Sequence, residues 1–208
     1  MRTVVPAIVC STLAVSLAAG EPPRLTRAVV SPAPWGAQSG GLVACGVTLD
    51  ARGAVGSVDL VQDVAPYGGR LRDDILSSWR FEPGREDGRP VGTQVLVLAF
   101  FRPPTLAIQT PASPLYKATR APERLPWPTD VTAPPYPSNA TGSATVVIEV
   151  DISDQGQVAS ARVLAAGSAF DAVAVDTIKA WTFRPAVRAN RPVASRAFVV
   201  FSFVGTTP

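Results

Sequence analysis

The sequence predicts an α+β protein of two tandem small ββαβ domains, each an antiparallel sheet with one helix packed on it, joined by a Pro-rich linker. Three observations carry this expectation. Short apolar runs with period two come in pairs, a helically spaced apolar stripe follows each pair, and the same short motifs return about 100 residues later. The chain has 208 residues, 47% hydrophobic and only 17% charged, enough for one medium or two small domains and too apolar for a disordered chain.

Residues 1–20 have the form of an export signal. Arg2 gives a positive start, Thr3 to Leu17 an apolar stretch, and Ala18-Ala19-Gly20 small residues suited to cleavage before Glu21. The alternative is an uncleaved membrane anchor, since the stretch approaches the roughly 17–20 apolar residues that span a bilayer. Lipidation at Cys10 is disfavoured by the branched Val9 before it. Residues 21–40 are expected to be a Pro/Ser-rich loop.

The first domain is assigned to residues 41–102. Val43, Cys45, Val47 and Leu49 alternate with smaller or more polar neighbours, Asp50-Ala51-Arg52-Gly53 turns the chain, and Val55 to Val61 returns as the partner strand. Leu71, Ile75 and Trp79 follow the Gly68-Gly69 break at helical spacing, and Val91 to Phe101 forms a closing strand. Residues 103–133 are the linker, where prolines such as Pro103, Pro104, Pro111, Pro114, Pro122 and Pro126 oppose helix and central strand.

The second domain is assigned to residues 134–208. Val146, Ile148, Val150 and Ile152 alternate, Ser153-Asp154-Gln155-Gly156 turns, and Val158 to Leu164 pairs back. Phe170, Val173, Ala174, Ile178 and Trp181 place one apolar stripe on a helix, and Phe198 to Val204 closes the unit. Trp79-Arg80-Phe81-Glu82-Pro83 matches Trp181-Thr182-Phe183-Arg184-Pro185 at an interval of 102, and Arg89-Pro90-Val91 matches Arg191-Pro192-Val193 in the same register. The turn glycines Gly53 and Gly156 stand 103 apart. Trp at the helix end covers the sheet, Phe turns inward two residues later, and Pro stops the helix, so Trp79, Phe81, Pro83, Trp181, Phe183 and Pro185 read as a core corner.

The chain has no histidine, which removes the commonest general base, metal ligand and triad member. No catalytic residue, cofactor or metal is expected. Asp73-Asp74 and Asp171 with Asp176 are the best carboxylate groups and read as solvated helix faces. Cys45, flanked by Val43 and Val47 on a strand, reads as core packing. The net charge of +3 is carried by scattered arginines, so nucleic acid is not an expected partner. Arg184, Arg188, Arg191 and Arg196 read as charges that keep a sheet edge soluble, with an anionic contact patch as the alternative.

The second unit resembles the TonB C-terminal domain family. The resemblance rests on Tyr136-Pro137 followed by Ala140, Asp154-Gln155-Gly156-Gln157-Val158, Trp181 to Ala186, Asn190-Arg191-Pro192-Val193, and Phe201-Ser202-Phe203. The first copy is degenerate, with Pro34-Trp35-Gly36 where Tyr-Pro would stand. The resemblance implies a periplasmic, non-enzymatic protein-binding module, acting by strand addition and linked to outer-membrane transport. Its partner would be an extended peptide segment such as the N-terminal box of an outer-membrane transporter, with homodimerisation by edge pairing as another route. The docking edge implied is the final strand, Ala197, Phe198, Val199, Val200, Phe201, Ser202 and Phe203. A membrane-anchored energy transducer is the alternative, although the family's membrane-helix histidine and long spacer are missing.

Overall fold

The computed structural model describes residues 20–32, 40–101, 122–138, 140–165 and 167–205. The apolar N-terminal stretch, Cys10, Pro34-Trp35-Gly36 and the linker prolines from Pro103 to Pro114 lie outside the described residues. No helix among the described residues is long and apolar enough to cross a membrane.

The first half runs β1 (Arg24–Arg27), β2 (Gly41–Leu49), β3 (Val55–Gln62), α1 (Tyr67–Ser78), β4 (Arg80–Glu82), β5 (Gly84–Glu86), β6 (Arg89–Val91) and β7 (Thr93–Phe101). The second half repeats this order as β8 (Trp127–Asp130), β9 (Ala144–Ile152), β10 (Val158–Val163), α2 (Asp171–Lys179), β11 (Thr182–Arg184), β12 (Ala186–Arg188), β13 (Arg191–Val193) and β14 (Ser195–Phe203). The result is a mixed, sheet-rich fold with two helices among the described residues. Two strands stand where loop and linker were expected, β1 and β8. They pair antiparallel with β4 and β11, bringing Leu25 opposite Phe81 and Pro128 opposite Phe183.

The sequence expectation of two separate sheets is corrected by the topology. One six-stranded sheet runs β10-β9-β14-β7-β2-β3, and the two halves join where β14 pairs parallel with β7, Phe198 opposite Val97 and Val200 opposite Ala99. The physical reason is visible in the strands. Val95 to Phe101 and Ala197 to Phe203 are buried at every position, so both faces of these strands need cover and neither can lie at a half-solvated edge.

The helices provide that cover from opposite sides. Leu71 and Ile75 of α1 pack with Val43, Cys45, Val47, Val95 and Val97, and with Phe198 and Val200 from the second half. Ala174 and Ile178 of α2 pack with Ile148, Val150, Val199 and Phe201, and with Leu96, Leu98 and Phe100 from the first half. Each core therefore borrows side chains from the other half. At about 1.5–3 kcal/mol per large apolar side chain, the five exchanged residues alone represent roughly 10 kcal/mol, comparable to the whole stability of a typical domain.

The local turns explain the repeated motifs. Asp50 Oδ1 accepts hydrogen bonds from the amides of Arg52 and Ala54, and Ser153 Oγ accepts from those of Gln155 and Gln157 at the matching turn. Gly156 closes that turn at φ 80°, and a Cβ there would lie 1.7 Å from the Phe183 carbonyl oxygen. The glycine is needed because the Trp-x-Phe-x-Pro corner docks directly on the turn, where the Phe183 amide donates to the Gly156 carbonyl at 2.8 Å.

Candidate protein-binding edge

The corner residues are structural and lie together in each half. Trp79 Nε1 donates to the Val29 carbonyl at 2.9 Å, and Trp181 Nε1 donates to the Thr132 carbonyl at 3.0 Å. Both indoles are buried, as are Phe81 and Phe183, while Pro83 and Pro185 are half-buried. Tyr136 donates its hydroxyl to the Gly142 carbonyl at 2.6 Å and sets its ring edge-on to Phe170. Pro137 accepts from the Ala140 amide through its carbonyl. These residues shape the fold and present no reactive constellation.

The strand that the resemblance implies as a docking edge lies inside the sheet. Ala197 to Phe203 is the third strand of the sheet, hydrogen-bonded to β9 on one side, while β7 occupies its other side from Ala197 to Ser202. The edge that a partner strand would use is filled by the first half of the same chain. An expected edge becomes an interior strand because β7 is as apolar as β14 and covers it at lower cost than solvent would.

Among the described residues, the open edges of the six-stranded sheet are those of β3 and β10. The Leu164 amide donates to the Val147 carbonyl at 2.9 Å, which fixes the parity of the β9–β10 ladder. Residues 160, 162 and 164 turn their backbone groups toward β9, and Ala161 and Val163 turn theirs outward. Ala161 and Val163 also place half-buried apolar side chains beside the α2 core.

The opposite face of β9–β10 carries a charge ladder. Ser160 Oγ donates to Asp151 Oδ2 at 2.6 Å, and Arg196 Nε donates to Asp151 Oδ1 at 2.8 Å. One position along, Arg162 Nη2 donates to Glu149 Oε1 at 3.0 Å, and Arg196 Nη1 lies 3.4 Å from the same oxygen. Glu149 is 4% exposed, and these two guanidinium groups are the charges beside its carboxylate. Arg196 Nη1 also donates to the Pro23 carbonyl at 3.3 Å, tying the first half onto this face. The ladder lines a groove of about 750 Å³ that also includes Glu21, Arg24, Glu82 and Arg85.

The remaining candidates are absorbed by local structure. Asp74 accepts from the Ser31 amide and hydroxyl, both at 2.7 Å. Asp73 is exposed, and Asp176 lies 3.9 Å from Lys179 on the surface. Asp171 holds the approach to α2. Although its partial burial acts to raise its pKa, donation from the Ser168 hydroxyl and the Ser168 and Gly167 amides brings it below the ordinary aspartate value. Burial, with a smaller contribution from the Asp63 charge, pushes the Cys45 thiol up to about 12, leaving it a packing residue rather than a nucleophile. Of the arginines, Arg188 pairs with Glu86, Arg184 Nη2 donates to the Pro122 carbonyl at 3.0 Å, Arg191 is exposed, and Arg196 belongs to the ladder.

Comparison with known protein families places one match on this framework. Residues 132–204 match the model for the Gram-negative bacterial TonB protein C-terminal. The match spans β9 to β14, including β10, the ladder and the Trp181 corner. No curated protein and no solved structure matches the chain.

Proposed function

We propose that this chain is a periplasmic TonB-like protein-binding module, linked to outer-membrane transport, that takes up an extended segment of a partner by strand addition at an open edge of its sheet. The observation that carries the reading is the family match over residues 132–204, on a unit whose outer strand pairs, among the described residues, on one side only. Strand addition needs outward backbone groups, and Ala161 and Val163 supply them. Residues 21–101 are on this reading a degenerate second copy, supported by the shared element order and by the matched indole hydrogen bonds of Trp79 and Trp181. Its role is to fill the β14 edge, so that the chain supplies in cis the pairing that a homodimer would supply between copies.

The test is titration calorimetry of the full chain against synthetic N-terminal segments of outer-membrane transporters, with a TonB C-terminal domain as a parallel control. At least one segment is expected to bind the chain. Binding to the control alone would refute the transport-linked reading.

A further inference from the structure

We propose that the outer edge of β10 is the docking strand, and that its occupant is an extended partner segment alternating acidic and apolar residues, its carboxylate read by Arg162. This deepens the strand-addition reading and rests on it.

The choice of β10 over β3 follows from register and charge. Each edge strand has an unbroken run, Ser160 to Val163 on β10 and Ser57 to Leu60 on β3, but the β9–β10 pairing shifts register only before Ser160 and continues through the Leu164 amide, whereas the β2–β3 pairing shifts at both ends. Register shifts twist and blunt an edge. The exposed charge on β3 is Asp59, which faces Gly46 across the ladder and has no cross-strand charge to extend.

On β10 the cross-strand order is Phe198, Glu149, Arg162, reading outward from β14. An added strand would put its next side chain beside Arg162, whose side chain is 48% exposed and, among the described residues, pairs with Glu149. A guanidinium carries five N–H donors, so Arg162 can hold Glu149 and accept a second carboxylate from outside. Opposite charges directly across a ladder stabilise pairing, and a lysine at the same place would meet a like charge. Alternate residues of the added strand would point to the other face, where Ala161 and Val163 place half-buried apolar side chains. The groove beside Ser160 and Arg162 leaves space for the acidic side chain.

The experiment is an amide-resolved NMR titration of the full chain with two capped hexapeptides, one alternating valine with glutamate and the other valine with lysine. The glutamate peptide is expected to shift the Ala161 and Val163 amides and slow their exchange, binding about tenfold more tightly than the lysine peptide. Arg162→Gln should abolish that preference, and Arg162→Glu should reverse it, with melting curves of both variants checking the fold. Equal or tighter binding of the lysine peptide to the natural chain would overturn the proposal. Shifts confined to Ser57, Val58 and Asp59 would also overturn it while leaving strand addition intact at β3. If neither edge responds although a transporter segment binds in calorimetry, the β10 assignment fails and the broader function stands.

Discussion

Arg188 donates a hydrogen bond to Glu86, and the two residues are 102 positions apart, the interval that also separates Trp181 from Trp79. The repeat thus contacts itself at equivalent positions, hairpin tip to hairpin tip. The parallel pairing of β7 with β14 makes this geometrically natural, because it brings corresponding ends of the two halves together.

Breaking the exposed pair should cost little, and breaking the ladder around the buried Glu149 should cost more, because it leaves a desolvated charge with fewer partners. With side chains 49% and 62% exposed, Glu86 and Arg188 form a bridge worth less than about 1 kcal/mol. Glu86→Ala should shift the urea midpoint correspondingly little. Arg196→Ala should cost about 3 kcal/mol, because it leaves the buried Glu149 with Arg162 as its remaining guanidinium partner, frees Asp151 and removes the tie to Pro23. Urea unfolding of the two variants side by side checks the contrast, and similar midpoints would contradict it.

Gly156→Ala should destabilise the chain by more than the roughly 1–2 kcal/mol that a left-handed backbone costs a residue with a Cβ. The excess arises because the added carbon would meet the Phe183 carbonyl oxygen. Gly88→Ala, also at positive φ but with nothing within 4 Å, isolates the backbone cost alone. Thermal melts of both variants separate the two contributions.

Acidification should weaken the fold through Asp50 and Asp171. Amide donation from Ala54 and Arg52 lowers the Asp50 pKa below its ordinary 3.8, and the Ser168 and Gly167 hydrogen bonds lower that of Asp171 against the opposing effect of burial. A lowered folded pKa means stability present above the unfolded value and lost as pH falls through the folded one. Stability measured between pH 5 and pH 2 should fall, and Asp171→Asn should flatten the slope. An unchanged slope would contradict the role given to Asp171.

Cys45 should resist thiol reagents in the native chain up to at least pH 9, given a thiol pushed up to about 12 and complete burial. Labelling should become fast in denaturant. Rapid native labelling would show that the α1 core opens more readily than its packing implies.

Much of this fold was legible in the residues, and what was missed has identifiable causes. The hairpins of β2–β3 and β9–β10 and both helices follow from period-two and helical spacing, and the Trp79 and Trp181 corners lie where their motif implied. The strands β1 and β8 escaped because each is four residues long, and Pro128 reads against a strand unless that strand lies at an edge. The β5–β6 hairpin carried a readable signal in Asp87-Gly88, a pair suited to the left-handed φ values of 49° and 74° found there.

The larger correction concerns β14. The resemblance implies an edge at that place, whereas the structure puts β14 between β9 and β7. The lack of alternation in its consecutive apolar residues, shared with Val95 to Phe101, is the pattern of a strand buried on both faces. Arg162 carries no signal in the sequence, because its neighbour Glu149 lies on another strand and the pair exists only once the register is set.

Amide hydrogen exchange of the full chain tests the central claim most directly. With β9 on one side and β7 on the other, the amides from Phe198 to Phe201 should all exchange slowly and with similar protection, while Ala161 and Val163 on β10 exchange quickly. Fast exchange at alternate residues of Phe198 to Phe201 would mean that β14 has an open edge and that the two halves do not share one sheet.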